Sequence, residues 1–228
     1  MKTDAALIIV GGGGGRRFGG GSKLFAPLGG EPVFVHAMRR LGPFFPDGAR
    51  IMVVPAPELE RFRRTAAARL PELPFIFVPG GDERADSVRA GLARLPEQAR
   101  YVAIHDAARP LASAGLLDRV LARARETGGA IPGRAVVDTL KRVGDDGVIR
   151  DTVPRENLFR VETPQCFEVT RLLAACRATA GRRFTDDAAV LEAAGFPVAV
   201  VEHAEENPKL TYPADLEFLE FLLARPTA

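Results

Sequence analysis

The chain has 228 residues, 46% of them hydrophobic and 26% charged, with 31 basic against 29 acidic side chains and a formal net charge of +2. A chain of this length buries a full core without disulfides or metal, and its balanced charge argues against a nucleic-acid binder, which would show a basic face or tail. Its two cysteines, Cys166 and Cys176, make no zinc or redox spacing, and the apolar run ending at Val10 is too short to span a membrane and has no signal-cleavage pattern, so a cytoplasmic protein is expected.

Ala5–Val10 is a short apolar run ending in glycine, as a strand buried on both faces would be. Pro32–Met38 opens a helix with proline in its first turn. Strand patterns follow at Arg50–Val54, Phe75–Val78, Tyr101–His105 and Val198–Val201. Helical patterns lie at Glu58–Leu70, Ala85–Leu95, Ala114–Glu126, Glu168–Arg177 and Asp186–Ala194. This alternation predicts an α/β fold with a mostly parallel sheet. With no internal repeat and no low-complexity linker, one domain over 1–228 is expected. The segment 136–155 departs from the pattern. There, Val137–Val143 and Val148–Val153 flank Gly144-Asp145-Asp146-Gly147, which reads as a β-hairpin. A projecting hairpin is unstable alone, so this arm is expected to pack on a partner subunit.

The first strand leads into Gly11-Gly12-Gly13-Gly14-Gly15-Arg16-Arg17-Phe18-Gly19-Gly20-Gly21-Ser22-Lys23. A dinucleotide fingerprint fails here, because its third glycine would fall on Arg16, Arg17, Phe18 or Leu24. A P-loop fails because Lys23 follows Ser22 and precedes Leu24. What remains is glycine at the carboxyl end of a strand, where successive N–H groups can turn inward as an anion-binding nest. Open α/β sheets bind ligands at that edge, and Arg17 and Lys23 supply cations for a polyphosphate. The alternative is a surface loop that its basic residues keep soluble.

Eight segments, in order, resemble the 2-C-methyl-D-erythritol 4-phosphate cytidylyltransferase family. They are the glycine-rich loop, Gly80-Gly81-Asp82-Glu83-Arg84-Ala85-Asp86-Ser87-Val88, His105-Asp106-Ala107-Ala108-Arg109-Pro110, Asp138-Thr139-Leu140-Lys141-Arg142, Thr152-Val153-Pro154-Arg155, Thr163-Pro164-Gln165, Thr185-Asp186-Asp187-Ala188 and Asn207-Pro208-Lys209-Leu210-Thr211. The resemblance implies a Rossmann-like nucleotidyltransferase sheet carrying a β-hairpin arm, and transfer of CMP from CTP to methylerythritol phosphate with release of pyrophosphate. It implies that Arg17 and Lys23 stabilise charge on the α-phosphate, and that the amides of Gly11, Gly12, Gly13 and Gly15 hold the triphosphate. Gly81, Asp82 and Ser87 would read cytosine, although Asp82 and Ser87 also suit helix caps. Asp106, with Ala107 beside it, would bind the nucleotide and take Mg²⁺; a turn-forming aspartate is the alternative.

Arg109, Thr139, Arg155, Thr163, Thr185 and Lys209 map onto the polyol-phosphate site, with Arg155 and Lys209 positioning the attacking phosphate. In the family the arm carries the Arg155 equivalent into a neighbour's site, which implies a homodimer; in a monomer, Arg155 would read as an exposed salt bridge. His105 stays outside the mechanism, since a phosphate nucleophile is already ionised. The chain departs from the family where Gly11-Gly12-Gly13 replaces Ala-Ala-Gly, Ser22 replaces Pro, Glu162 replaces Gln and Pro208 replaces Ile. Some relatives carry a second isoprenoid-pathway domain; with 228 residues, none is expected here. Two alternatives stand beside this reading. One is a cytidylyltransferase acting on ribitol 5-phosphate or another sugar phosphate. The other is a CTP sensor without turnover, against which Arg17, Lys23, Asp106 and Lys209 occurring together argue.

Overall fold

The computed structural model describes residues 4–12, 18 and 22–225. In chain order these form β1 (Ala5–Val10), a short pair β2 (Pro27–Leu28) and β3 (Glu31–Pro32), α1 (Val33–Leu41), β4 (Arg50–Val54), α2 (Leu59–Arg69), β5 (Ile76–Pro79) and α3 (Arg84–Leu92). Next come β6 (Tyr101–Asp106), α4 (Ala114–Thr127), β7 (Gly129–Ala135), the arm strands β8 (Leu140–Val143) and β9 (Ile149–Val153), then β10 (Phe159–Val161) and β11 (Gln165–Glu168). The chain continues through α5 (Val169–Ala178), α6 (Asp187–Ala193) and β12 (Ala199–Glu202) to α7 (Asp215–Leu223).

The main sheet runs β10-β7-β11-β6-β1-β4-β5, with β12 also paired to β7. Four of its seven pairings are parallel: β1 with β4, β1 with β6, β4 with β5, and β12 with β7. The antiparallel ones all involve β10 and β11. The expected mostly parallel α/β sheet is therefore present, with an antiparallel insertion that the periodicity of the sequence does not announce. β7 reads Gly-Ala-Ile-Pro-Gly-Arg-Ala, and two glycines and a proline hide a strand.

β1 is buried along its whole length, and its side chains alternate between two cores. Leu7 and Ile9 join Met52, Val54, Phe34 and Phe62 on one face of the sheet. Ile8 and Val10 join Ile51, Val53, Val88 and Leu172 on the other. Helices on both faces leave β1, β4 and β6 buried along their whole length rather than on alternate residues. α4 shows how an individual helix is bounded: Ser113 Oγ accepts from Leu116 N at 2.9 Å, and Gly128 closes the far end with φ +89°. A left-handed residue at that position is where glycine carries no Cβ penalty.

Register fixes the functional edge. Val10 lies opposite Asp106 and Val53, and Val54 lies opposite Pro79, so β1, β4, β5 and β6 end together. Gly11 N donates to Val53 O at 2.7 Å, Gly80 N to Val54 O at 2.8 Å and Ala107 N to Val10 O at 2.9 Å. These bonds tie the loops leaving three strands to one rim. The arm strands form a separate two-stranded sheet, closed by a turn in which Gly144 N donates to Val148 O at 2.9 Å. Its paired segments are shorter than the sequence runs suggested. Val137, Val143, Val148 and Ile149 on the arm are exposed, the surface expected of an element that another chain would cover.

Candidate active site

The nucleotide side is built from the glycines after β1 and the turn after β5. Ser87, one turn into α3, is buried, and its Oγ has no hydrogen-bond partner among the described residues. It faces two glycines: a β-carbon on Gly80 would lie 2.5 Å from that oxygen, and one on Gly12 would lie 3.0 Å from it. A side chain at Gly80 would therefore collide with the hydroxyl, and one at Gly12 would crowd it. Neither Asp82 nor Ser87 caps the helix. Glu83 is the N-cap and forms a reciprocal capping box with Asp86, whose Oδ2 accepts from Glu83 N at 3.1 Å. The capping alternative thus fails, and Gly81 and Asp82 lie exposed ahead of α3. Lys23 opens a short 3₁₀ turn anchored by buried Leu24, and its Nζ donates to Leu210 O at 2.8 Å. Gly13, Gly15 and Arg17 lie outside the described residues.

Asp106 ends β6 at the centre of the rim. Its backbone carbonyl accepts from Arg109 N at 3.0 Å in the turn that follows β6, while its carboxylate is taken up by cations: Lys209 Nζ lies 2.6 Å from its Oδ2, and Arg84 Nε lies 3.4 Å from its Oδ1. Its backbone N–H donates to Thr163 Oγ1 at 3.1 Å, which draws Thr163 beneath the site. Ala107 and Ala108 are buried, and Leu210 N donates to Ala108 O at 2.8 Å, holding the Lys209 segment against the β6 loop. Arg109 Nη1 donates to Asn207 O at 2.7 Å, while Asn207 Nδ2 donates to Thr163 O at 2.8 Å. The departure at Glu162 sets a carboxylate 3.7 Å from Arg109 Nη1. Arg84 Nη2 in turn lies 2.7 Å from Asp187 Oδ2.

Ionisation follows from these neighbours. Burial alone would raise the Asp106 carboxyl, but Lys209 and Arg84 outweigh it and hold the group well below the usual carboxylate range. Burial raises Asp187, against the pull of Arg84. Burial pushes His105 down from 6.5 to about 4, so it is neutral at pH 7. One ring nitrogen is 2.9 Å from Arg109 O and the other 3.0 Å from Thr163 Oγ1. A neutral histidine engaged on both nitrogens organises the loop rather than shuttling protons, in keeping with its exclusion from the mechanism.

Lys23, Asp106, Ala107, Arg109, Thr163 and Lys209 are thus connected by direct contacts or through Leu210 and Asn207. Thr185 is exposed just ahead of Asp186, the N-cap of α6. Thr139 and Arg155 are exposed on the arm, where the Arg155 guanidinium donates to Val137 O of the same arm rather than forming a salt bridge. The chain's own hydrogen bonds do not draw these two into the cluster. Arg84, Asp187, Asn207 and Gln165 enter it unforeseen. Gln165 Nε2 donates to Asp186 Oδ2 at 2.8 Å, and its only signal was a place within Thr163-Pro164-Gln165.

No group of three or more His, Cys, Asp or Glu among the described residues could hold a metal by itself. A divalent cation at Asp106 would need phosphate oxygens as its other ligands, which fits the way Mg²⁺ binds one or two carboxylates with substrate phosphates.

Residues 5–225 match the family described as IspD, 2-C-methyl-D-erythritol 4-phosphate cytidylyltransferase. The chain belongs to this family. Members of the IspD family are cytidylyltransferases, a kind of nucleotidyltransferase. The bifunctional enzyme IspD/IspF of Rhodospirillum rubrum is 49% identical across 88% of this chain and 52% of its own length. The 2-C-methyl-D-erythritol 4-phosphate cytidylyltransferase of Xanthomonas euvesicatoria is 43% identical across 88% of this chain and 77% of that protein. The crystal structure of the enzyme of that name from Thermus thermophilus superimposes with a TM-score of 0.75 at 30% identity, covering 95% of this chain and 97% of that one. The chain spans about half the length of the bifunctional IspD/IspF relatives, 52% in the case of Rhodospirillum rubrum.

Proposed function

We propose that the chain transfers CMP from CTP to 2-C-methyl-D-erythritol 4-phosphate, releasing pyrophosphate and forming 4-diphosphocytidyl-2-C-methyl-D-erythritol. The observation that carries this reading is the pairing of Lys209 with Asp106 at the end of β6, with Lys23 bonded to the adjacent Leu210 and, at the loops after β1 and β5, a Ser87 hydroxyl that has no hydrogen-bond partner among the described residues. A phosphate oxygen of the polyol attacks the α-phosphorus in line. A new O–P bond forms as the bond to the bridging oxygen breaks, and pyrophosphate leaves with the electron pair. Two anions must approach, so the protein's work is charge neutralisation and alignment.

Lys23 faces the α-phosphate, together with Arg17 by family resemblance, and Lys209 exchanges Asp106 for the polyol phosphate. Gly12, Gly80 and Ser87 receive the nucleotide, and Arg109, Thr163 and Thr185 the polyol. Asp106 would hold Mg²⁺ alongside phosphate oxygens, and that ion, when bound, supplies further neutralisation of the triphosphate. Thr139 and Arg155 reach a neighbour's site across a homodimer, a reading supported by the exposed apolar residues of the arm. The protein works in the cytoplasm; among the described residues no helix is long and apolar enough to cross a membrane, and two cysteines are too few for a disulfide framework.

Pyrophosphate release tests the proposal, measured with Mg²⁺, each of the four nucleoside triphosphates, and either methylerythritol phosphate or ribitol 5-phosphate. Release with CTP and methylerythritol phosphate alone is expected. No release from that pair would overturn the proposal, and release with ribitol 5-phosphate in preference would replace the acceptor.

A further inference from the structure

We propose that Arg84, braced by Asp187, is a positioning residue that fixes the carboxylate of Asp106 during nucleotidyl transfer; the inference rests on the activity proposed above. The Arg84 guanidinium stands between acids from two distant segments, 2.7 Å from Asp187 Oδ2 and 3.4 Å from Asp106 Oδ1. On the other side of Asp106, Lys209 holds Oδ2 at 2.6 Å. Asp106 is therefore gripped at both oxygens, by Lys209 and by the less exposed Arg84. Lys209, the more exposed of the two, is the cation that an incoming phosphate would draw away. Arg84 then remains as the side chain that keeps the carboxylate aimed.

Stability does not account for the arrangement. α3 is secured by its Glu83–Asp86 capping box and by Val88 and Leu92 in the core. α6 is secured by the Asp186 cap and by Gln165 Oε1, which accepts from Ala188 N at 3.3 Å. β6 is paired on both edges. Each of the three segments is anchored without Arg84. Exchanging a buried ion pair for apolar residues of the same volume costs little stability, although removing one partner alone is strongly destabilising. Arg84 meets Asp187 as an ion pair without an aligned hydrogen bond and turns its Nε–H to Asp106, a directed contact that a lysine, a point charge, does not reproduce. The location has a second consequence. Arg84 belongs to the segment carrying Gly81, Asp82 and Ser87, and Asp187 to the one carrying Thr185, so the clasp joins the nucleotide side of the site to the polyol side.

The test uses the full chain with Arg84→Ala, Arg84→Lys and Asp187→Asn. For each, kcat, KM for both substrates, CTP affinity by calorimetry and the thermal midpoint are measured. Partners of directly acting groups cost about 10–100-fold when removed, and a kcat loss of that size is expected in Arg84→Ala. KM for the polyol phosphate stays unchanged, Arg84→Lys recovers only part of the loss, and Asp187→Asn shows a smaller fall of the same kind. Added guanidinium restores turnover of Arg84→Ala without raising its thermal midpoint, which a purely structural role would not produce. Wild-type kcat in Arg84→Lys and Asp187→Asn overturns the inference even if Arg84→Ala does not fold. A kcat loss that only follows the thermal midpoint and resists guanidinium overturns it as well. CTP affinity is expected to fall in Arg84→Lys and Asp187→Asn too, since Asp106 is placed on the nucleotide. If the wild-type chain releases no pyrophosphate the proposed activity falls separately, and unaltered CTP affinity in those two variants would then dismiss the role of Arg84.

Discussion

Ser87 Oγ lies between Gly12 and Gly80 with no hydrogen-bond partner among the described residues. A buried hydroxyl in that state gives the fold nothing and is available to a ligand. Ser87→Ala should therefore leave the thermal midpoint unchanged or slightly raised. Loss of one hydrogen bond to nucleotide, worth about 1 kcal/mol, should raise KM for CTP roughly fivefold with kcat preserved. Steady-state kinetics beside a melting curve decide it, and a large fall in stability with unchanged KM would refute the binding role. His105 yields a different kind of prediction. Its folded pKa, about 4 against an ordinary 6.5, means that between those values the unfolded chain takes up a proton that the folded chain does not. Stability is then complete above pH 6.5 and falls as the pH drops toward 4, at about 1.4 kcal/mol per unit, on the order of 3 kcal/mol in all. His36, also lowered chiefly by burial, acts in the same direction. Urea unfolding at pH 7 and pH 5 should thus show a steeper loss in wild type than in His105→Gln, and equal slopes would exclude His105 as the source.

Ser113 Oγ carries the start of α4 through its 2.9 Å bond from Leu116 N. Ser113→Ala should cost about 1 kcal/mol of stability and leave kcat and KM unaltered, which separates support of an element from support of the site. The elements themselves were legible where burial imposes a period. β1 and β4 were read to the residue because both faces of each are buried, and the long helices end within a few residues of their expected limits. β7, β10 and β11 were not legible: β10 has three residues and β11 four, and both exist by pairing with neighbours already in place. α7 carries Phe218 and Phe221 exposed, which blurs the apolar stripe that would have marked it. In the site, Lys23, Asp106 and Lys209 were legible as charged residues at a strand end or within a motif. Arg84 and Asp187 also stood within motifs but received no role, because nothing local in the sequence says that a helix-start arginine and an aspartate a hundred residues later share a buried contact. Asp82 looked like a cap for the same reason that Glu83 is one: a carboxylate before a helix suits either position.

At the scale of the whole molecule, the arm is the element that the rest of the chain does not use. Among the described residues its strands pair only with each other, and Arg155 is bonded to Val137 within it, while Val143, Val148 and Ile149 face solvent. A homodimer in which each arm crosses to the neighbour would cover those side chains and bring Arg155 to a second site. The proposal can be tested by complementation. If a working site needs its own Lys23 and the neighbour's Arg155, Lys23→Ala and Arg155→Ala are each inactive. A dimer of one Lys23→Ala subunit and one Arg155→Ala subunit then has one site lacking both residues and one site lacking neither. Mixed dimers, isolated by co-expression with two different tags, should show about half of wild-type turnover, as two-fold symmetry with one intact site requires. If Arg155 acted within its own chain, every site of the mixed dimer would lack one residue, and the preparation would be as inactive as its parents. Light scattering on the wild-type chain completes the argument: a monomeric mass at assay concentration would remove the neighbour on which the crossing arm depends.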